Sequence, residues 1–195
     1  GQKVRVPPVD IKRGDKRGDQ FRPQGDDKAY IESLIIYDDG DIIALNKPFG
    51  LPCQGGSGIM RHVDGLLKSL TSKKGVKPRL VHRLDRDTSG VLLVARSLKM
   101  AQALGRMFSG RGIRKYYWAV VTPAPETYEG RIDMPLNKGL GNAKDKMIVD
   151  EDEGKTSITD FALIEHAGKT AAFMAFWPRT GRTHQIRVHA AEGLK

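Results

Sequence analysis

A single cysteine, Cys53, stands in a chain of 195 residues. It excludes an internal disulfide and a four-cysteine zinc site, and it fits a reducing compartment. No apolar run approaches the roughly 20 residues that a membrane-spanning helix needs. The opening GQKVRVPPVD has no apolar stretch of the secretory kind, so no signal peptide is expected. Gly55-Gly56-Ser57-Gly58 is not followed by Gly-Lys-Ser/Thr and is no P-loop. His82, His184 and His189, taken with Asp85 or Asp87, match no recognised metal-ligand spacing. There is no internal repeat. No metal and no other cofactor is therefore expected.

Positive charge is in surplus. Lysine and arginine number 33 against 23 aspartates and glutamates, a net charge of +10, while 39% of residues are hydrophobic. A core is possible, and a basic surface attracts polyanions by counterion release. Charge alone specifies no site, and a merely soluble basic protein would look the same.

Residues 1–28 carry many charges, three prolines (Pro7, Pro8, Pro23) and few large apolar side chains, and read as a linker or arm. Val4-Arg5-Val6 reads as a strand belonging to something upstream. From Tyr30 the pattern is globular. Two β-prone runs, 33–37 and 42–46, flank Asp38-Asp39-Gly40-Asp41, a hairpin signal. Val63, Leu66, Leu67 and Leu70 recur at helical spacing. Residues 90–96 read as a strand, and Ser97 as the cap of a helix to about Phe108. Residues 113–121, 157–165 and 170–177 read as strands, and Thr183 as the cap of a helix over 184–191. Strands following one another without long helices predict an α+β fold with a mainly antiparallel sheet.

Two segments crowd reactive side chains among apolar ones. In Arg79 to Gly90, Asp85 lies between Arg83 and Arg86 and close to Leu80, Val81, Leu84 and Val91. A carboxylate kept ionised by a neighbouring cation can act as a nucleophile. Asp, Thr, Ser and Gly are also ordinary turn formers, so the segment reads equally as a turn. In Arg179 to His189, arginines and backbone N–H groups at a helix start suit phosphate, with Arg182 and His184 as candidate RNA contacts. A capped surface helix is the alternative. Arg187, between Ile186 and Val188, is not expected to be simply solvated. In Arg114 to Val120, Tyr117 and Ala119 share one strand face, Tyr116 and Trp118 the other. Aromatic packing is the ordinary outcome there; a stacking face or a proton-carrying phenol is the functional one.

Together these segments resemble the RluA-type pseudouridine synthases. His82-Arg83-Leu84-Asp85-Arg86-Asp87-Thr88-Ser89-Gly90 matches that family's signature. Residues 44–51, 115–119 and 180–189 resemble its other motifs, in the same order. The resemblance runs from about Tyr30 to the end. It implies a catalytic fold with a mainly antiparallel mixed sheet, flanking helices and a central RNA-binding cleft. It implies uridine-to-pseudouridine isomerisation in structured RNA, most of all large-subunit ribosomal RNA, without a cofactor. Asp85 is implied as nucleophile or base, Tyr117 as the active-site tyrosine (Tyr116 being the alternative register), and Arg187 as the partner of the aspartate. Arg83 is implied as the group that fills the stack when the target nucleotide leaves it. The resemblance also implies a small S4-type RNA-binding domain before the arm, and a catalytic domain over residues 29–195 that continues past the last helix. A monomer in a bacterial-type cytoplasm is expected, or less so in an organelle matrix. A catalytically dead RNA-binding assembly factor and a metal-dependent nuclease are the competing readings.

Overall fold

The computed structural model describes residues 25–194 apart from 57, 111 and 141–145. Most of the arm, including the strand expected at Val4–Val6, lies outside the described residues. The chain divides into two compact units, the division falling between Ala101 and Gln102.

The first unit opens on helix α1 (Asp27–Ser33), which begins inside the segment read as arm. Asp27 is buried at 4% exposure and ion-pairs with Arg61 at 2.8 Å, while the Arg61 guanidinium lies 4.1 Å from the Tyr30 ring centroid. The charge of Asp27 thus serves packing. Strands β1 (Ile35–Asp38) and β2 (Ile42–Lys47) form the expected hairpin. Asp39 Oδ1 accepts from the Asp41 and Ile42 N–H groups at 2.9 and 2.7 Å, and Gly40 takes the φ of +89° that a side chain would resist. Helix α2 (Val63–Leu66) continues as a 3-10 turn over Leu67–Leu70. Strands β3 (Arg79–Leu80) and β4 (Gly90–Ala95) complete an antiparallel sheet of order β1-β2-β4-β3. Its core is Ile31, Ile43, Leu45, Val63, Leu66, Leu67, Leu92 and Val94, all at 0% exposure. Each such aliphatic contributes about 1.5–3 kcal/mol by leaving water. Helix α3 (Leu98–Ser109) spans the division between the units, and Ser97 Oγ caps it at Met100 N–H, 3.1 Å away, as its sequence predicts.

The second unit is built on β5 (Tyr117–Val121), β6 (Glu129–Asp133), β9 (Ile158–Ala167) and β10 (Ala171–Pro178), in the antiparallel order β5-β10-β9-β6. Strands β7 (Leu136–Lys138) and β8 (Met147–Val149) form a separate antiparallel pair. Helix α4 (Gln185–Gly193) closes the unit. Ile132, Phe161, Met174, Phe176 and Leu194 form its core, with Tyr117, Ala119, Ile186 and Ala190 packed against it.

Two boundaries differ from the sequence reading. β5 starts at Tyr117 and not at Ile113, because its ladder ends at the Tyr117↔Phe176 pair, where β10 runs toward Pro178, a residue without an N–H. Helix α4 is entered through His184 and not Thr183: His184 is the residue before the first turn and has a left-handed backbone, φ +52°. The α+β class and the antiparallel pairing are as expected.

Candidate active site

In the first unit the segment after β3 leaves the sheet and turns. The Thr88 N–H donates to the Asp85 carbonyl at 3.1 Å, so Asp85 opens a tight turn that ends just before β4. The turn expected as one reading of this segment is present. Leu84 is buried, Asp85 is partly exposed, and Arg83 and Arg86 are exposed. Arg86 pairs with Asp87, Nε to Oδ1 at 2.9 Å.

The backbone on both sides of Asp85 is held from one remote stretch. Lys47, at 0% exposure, donates from Nζ to the carbonyls of Pro48 (3.0 Å), Leu51 (2.8 Å) and Arg86 (3.1 Å). Three acceptors for three protons match the ammonium form. Burial pulls the Lys47 ammonium below its usual pKa, and the carboxylates of Asp87 and Asp85 oppose that fall. The Gly50 N–H donates to the same Arg86 carbonyl at 2.9 Å. Cys53, also buried, donates its thiol proton to the Leu84 carbonyl at 3.2 Å and accepts from the Leu84 N–H at 3.3 Å. Burial pushes the Cys53 thiol pKa up, which keeps the proton it donates. Asp85 therefore lies between two anchored residues, Leu84 and Arg86, the second held by a buried cation. Sequence reasoning assigned Lys47 and Cys53 no role. The available signal was a lysine ending the apolar run Ile42-Ile43-Ala44-Leu45, followed at once by Pro48.

In the second unit Tyr117 lies opposite Phe176 on β10, with its side chain toward the core. The alternative Tyr116, and Trp118 on the same face, are exposed at 58% and 73%. Tyr116 meets Trp177 edge-on, 5.8 Å between centroids, so it serves aromatic packing.

The entry to α4 is held by Gln185, which is 4% exposed. Its Oε1 accepts from Thr180 Oγ1 and from the Arg182 N–H, both at 2.9 Å. Its Nε2 donates to the Ile158 carbonyl and to Thr159 Oγ1, again at 2.9 Å. One turn on, buried His189 sits 2.9 Å from Thr159 Oγ1 and 3.1 Å from the Met134 carbonyl. The carbonyl requires a proton on Nε2, which leaves Nδ1 to accept from the threonine. Burial lowers the His189 pKa, in keeping with a neutral ring. This bracing over-determines the left-handed His184, a conformation that costs of order 1 kcal/mol or more. The Arg182 N–H is taken by Gln185, and Arg182 Nε donates to the Thr156 carbonyl at 3.2 Å. Arg187 is exposed. With His184, Val188 and residues Lys146 to Val149 it lines an open groove of about 580 Å³ between α4 and β8.

The structure thus gathers Asp85 and Arg83 in one loop of the first unit, and Arg187 and His184 at one groove of the second, with Tyr117 on the second unit's sheet. Among the described residues there is no cluster of three or more His, Cys, Asp or Glu suited to a metal, and no helix long and apolar enough to cross a membrane.

A basic α+β protein that braces the backbone around one carboxylate, and has cationic side chains at a helix entry, has the make-up of an enzyme acting on a polyanion. Comparison with known proteins narrows the class. Residues 41–192 match the family described as RNA pseudouridylate synthase. The chain is 41% identical over 160 residues to an uncharacterised RNA pseudouridine synthase of Zymomonas mobilis, covering 82% of this chain and 73% of the relative. It is 38% identical over 197 residues to the mitochondrial RNA pseudouridine synthase 4 of Arabidopsis thaliana, covering 90% of this chain and 41% of the relative. It is 36% identical over 189 residues to ribosomal large subunit pseudouridine synthase C of Escherichia coli K12, covering 97% of this chain and 58% of the relative. The fold matches the solved human RNA pseudouridylate synthase domain containing 4 with a TM-score of 0.71 at 26% identity, over 86% of this chain and 68% of that one. The chain belongs to the RNA pseudouridylate synthase family. It spans little more than half, or less, of two of the three relatives named.

Proposed function

We propose that the protein converts specific uridines of structured RNA to pseudouridine, with large-subunit ribosomal RNA as substrate and Asp85 as the reacting carboxylate. Family membership supports the reaction class. The observation that carries Asp85 is its backbone setting, with Leu84 and Arg86 tied to Cys53 and Lys47 while its carboxylate stays partly exposed. The reaction breaks the N1–C1′ bond, turns the uracil and joins C5 to C1′; C5 gives up its hydrogen as a proton and N1 takes up a proton from solvent. It is an isomerisation and consumes no second substrate.

A base inside a stack must first be flipped out, at a cost of a few kcal/mol. Arg83, exposed on the Asp85 loop, suits the vacated gap because guanidinium stacks on bases and binds phosphate. Asp85 then acts at the nucleoside as nucleophile or base. The resemblance gives Tyr117 a place against the uracil and Arg187 the part of a cation for the carboxylate. Arg182, His184 and the basic surface contribute affinity that RNA shape makes specific. The large-subunit relative supports a ribosomal target and a bacterial-type cytoplasm, the mitochondrial relative an organelle matrix as second reading. The protein acts as a monomer and without cofactor in this reading.

The test is tritium release from ribosomal RNA labelled at uridine C5, with chelator present and nothing else added. Tritium should appear in solvent in step with pseudouridine in the RNA. Absence of release from correctly folded RNA would count against the reading.

A further inference from the structure

The β3–β4 ladder pairs Arg79 with Ala95 and Leu80 with Val94, and then stops, whereas β2 pairs with β4 along all six residues from Gly90 to Ala95. Continued in register, the ladder would bring Val81 opposite Leu93. The Leu93 N–H instead donates to His82 Nε2, 2.8 Å away. A buried strand N–H needs an acceptor, and here a side chain supplies what a strand carbonyl would have supplied. With Nε2 accepting, the neutral ring carries its proton on Nδ1.

We propose that His82 is a positioning residue for Asp85: by standing in for a strand carbonyl at Leu93, it fixes the point where the chain leaves the sheet, three residues ahead of the carboxylate. Each further residue of pairing would draw the segment about 3.4 Å along β4. Lys47, Gly50 and Cys53 hold the backbone only from Leu84 onward. His82 is the segment's own side chain and acts before those clamps. Its ring touches no reacting atom in this account, so its effect is on where Asp85 stands, not on RNA affinity. The inference rests on Asp85 being the reacting carboxylate.

The experiment compares His82→Phe and His82→Gln in the full-length protein. Phe keeps a ring and loses the acceptor, whereas Gln Oε1 reaches as far as Nε2 and accepts at any pH. Two readouts are taken: kcat and KM for C5-tritium release, and hydrogen exchange at the Leu93 amide. In His82→Phe, kcat should fall about tenfold or more with KM unchanged, since small misplacements of a reacting group carry penalties of that size. The Leu93 amide should exchange faster. In His82→Gln both should return toward wild type. A His82→Phe enzyme with wild-type kcat overturns the inference, as does a His82→Gln enzyme that protects Leu93 yet stays as slow as His82→Phe. A wild-type protein that releases no tritium overturns the proposed function instead, and Leu93 exchange still reports whether His82 is its acceptor.

Discussion

The Asp85 loop and the entry to α4 solve the same problem by different means. Each must hold a backbone still while leaving charged side chains outward. At Asp85 the holders are remote: Cys53 is 31 residues from Leu84 and Lys47 is 39 from Arg86. At α4 the chief holder is local to the turn, for Gln185 Oε1 binds Thr180 and Arg182, five and three residues away, before its Nε2 reaches across to β9. The first device uses a buried cation and a thiol, the second a neutral amide and imidazole. The lesson is that the polar groups buried at these two turns chiefly brace backbone.

Breaking each device separately sharpens that contrast. Lys47→Met should have the larger effect. It leaves the Pro48 and Leu51 carbonyls without this donor and the Arg86 carbonyl with the Gly50 N–H alone; one buried unsatisfied group costs about 1–3 kcal/mol, so a loss of about 2–3 kcal/mol is expected once relief of the lysine's own desolvation is allowed for. Urea unfolding measures it as a lower midpoint at constant slope. Activity should fall in kcat while RNA affinity holds. Gln185→Leu should cost about 1–2 kcal/mol, because water can replace some of its bonds near exposed Arg182. Its functional loss should appear in RNA affinity and not in kcat. Equal effects on the two parameters in both variants would erase the distinction.

A smaller effect separates the units by pH. His189 and His62 both have pKa values lowered by burial. In such a case the unfolded chain binds protons first, starting near the free-histidine value of about 6.5, so stability falls as pH drops below it and is unaffected above. His189 is fully buried and braces α4, whereas His62 is only partly buried and accepts from the Gly65 N–H at the start of α2. The acid-side loss should be the steeper for His189. Unfolding free energies between pH 7 and 5 for His189→Gln and His62→Gln check this: the slope should flatten more in the first.

The parts of the fold legible in the sequence were those whose cause is local. Asp38-Asp39-Gly40-Asp41 dictates its hairpin through side-chain to backbone bonds two or three residues apart, and Ser97 caps α3 the same way. Strands β6, β7 and β8 went unread because they are short, and β6 and β7 also carry Glu129, Gly130 and Lys138, which are poor in strand signal; pairing with other strands defines all three. The entry of α4 was misplaced by one residue because no propensity rule anticipates a left-handed histidine held by a glutamine. The polar residues of the site were visible as a motif. Their bracing by Lys47 and Cys53 was not, because a contact across 31 to 39 residues leaves no periodic trace.

In the proposed reaction Asp85 supplies the chemistry, and Lys47, Cys53 and His82 only place it. Asp85→Asn tests this most directly, since it keeps the volume and removes the carboxylate. Single-turnover pseudouridine formation by the full-length variant should vanish, while RNA affinity and the urea midpoint stay near wild type. A variant that still modifies RNA at a comparable rate would contradict the assignment.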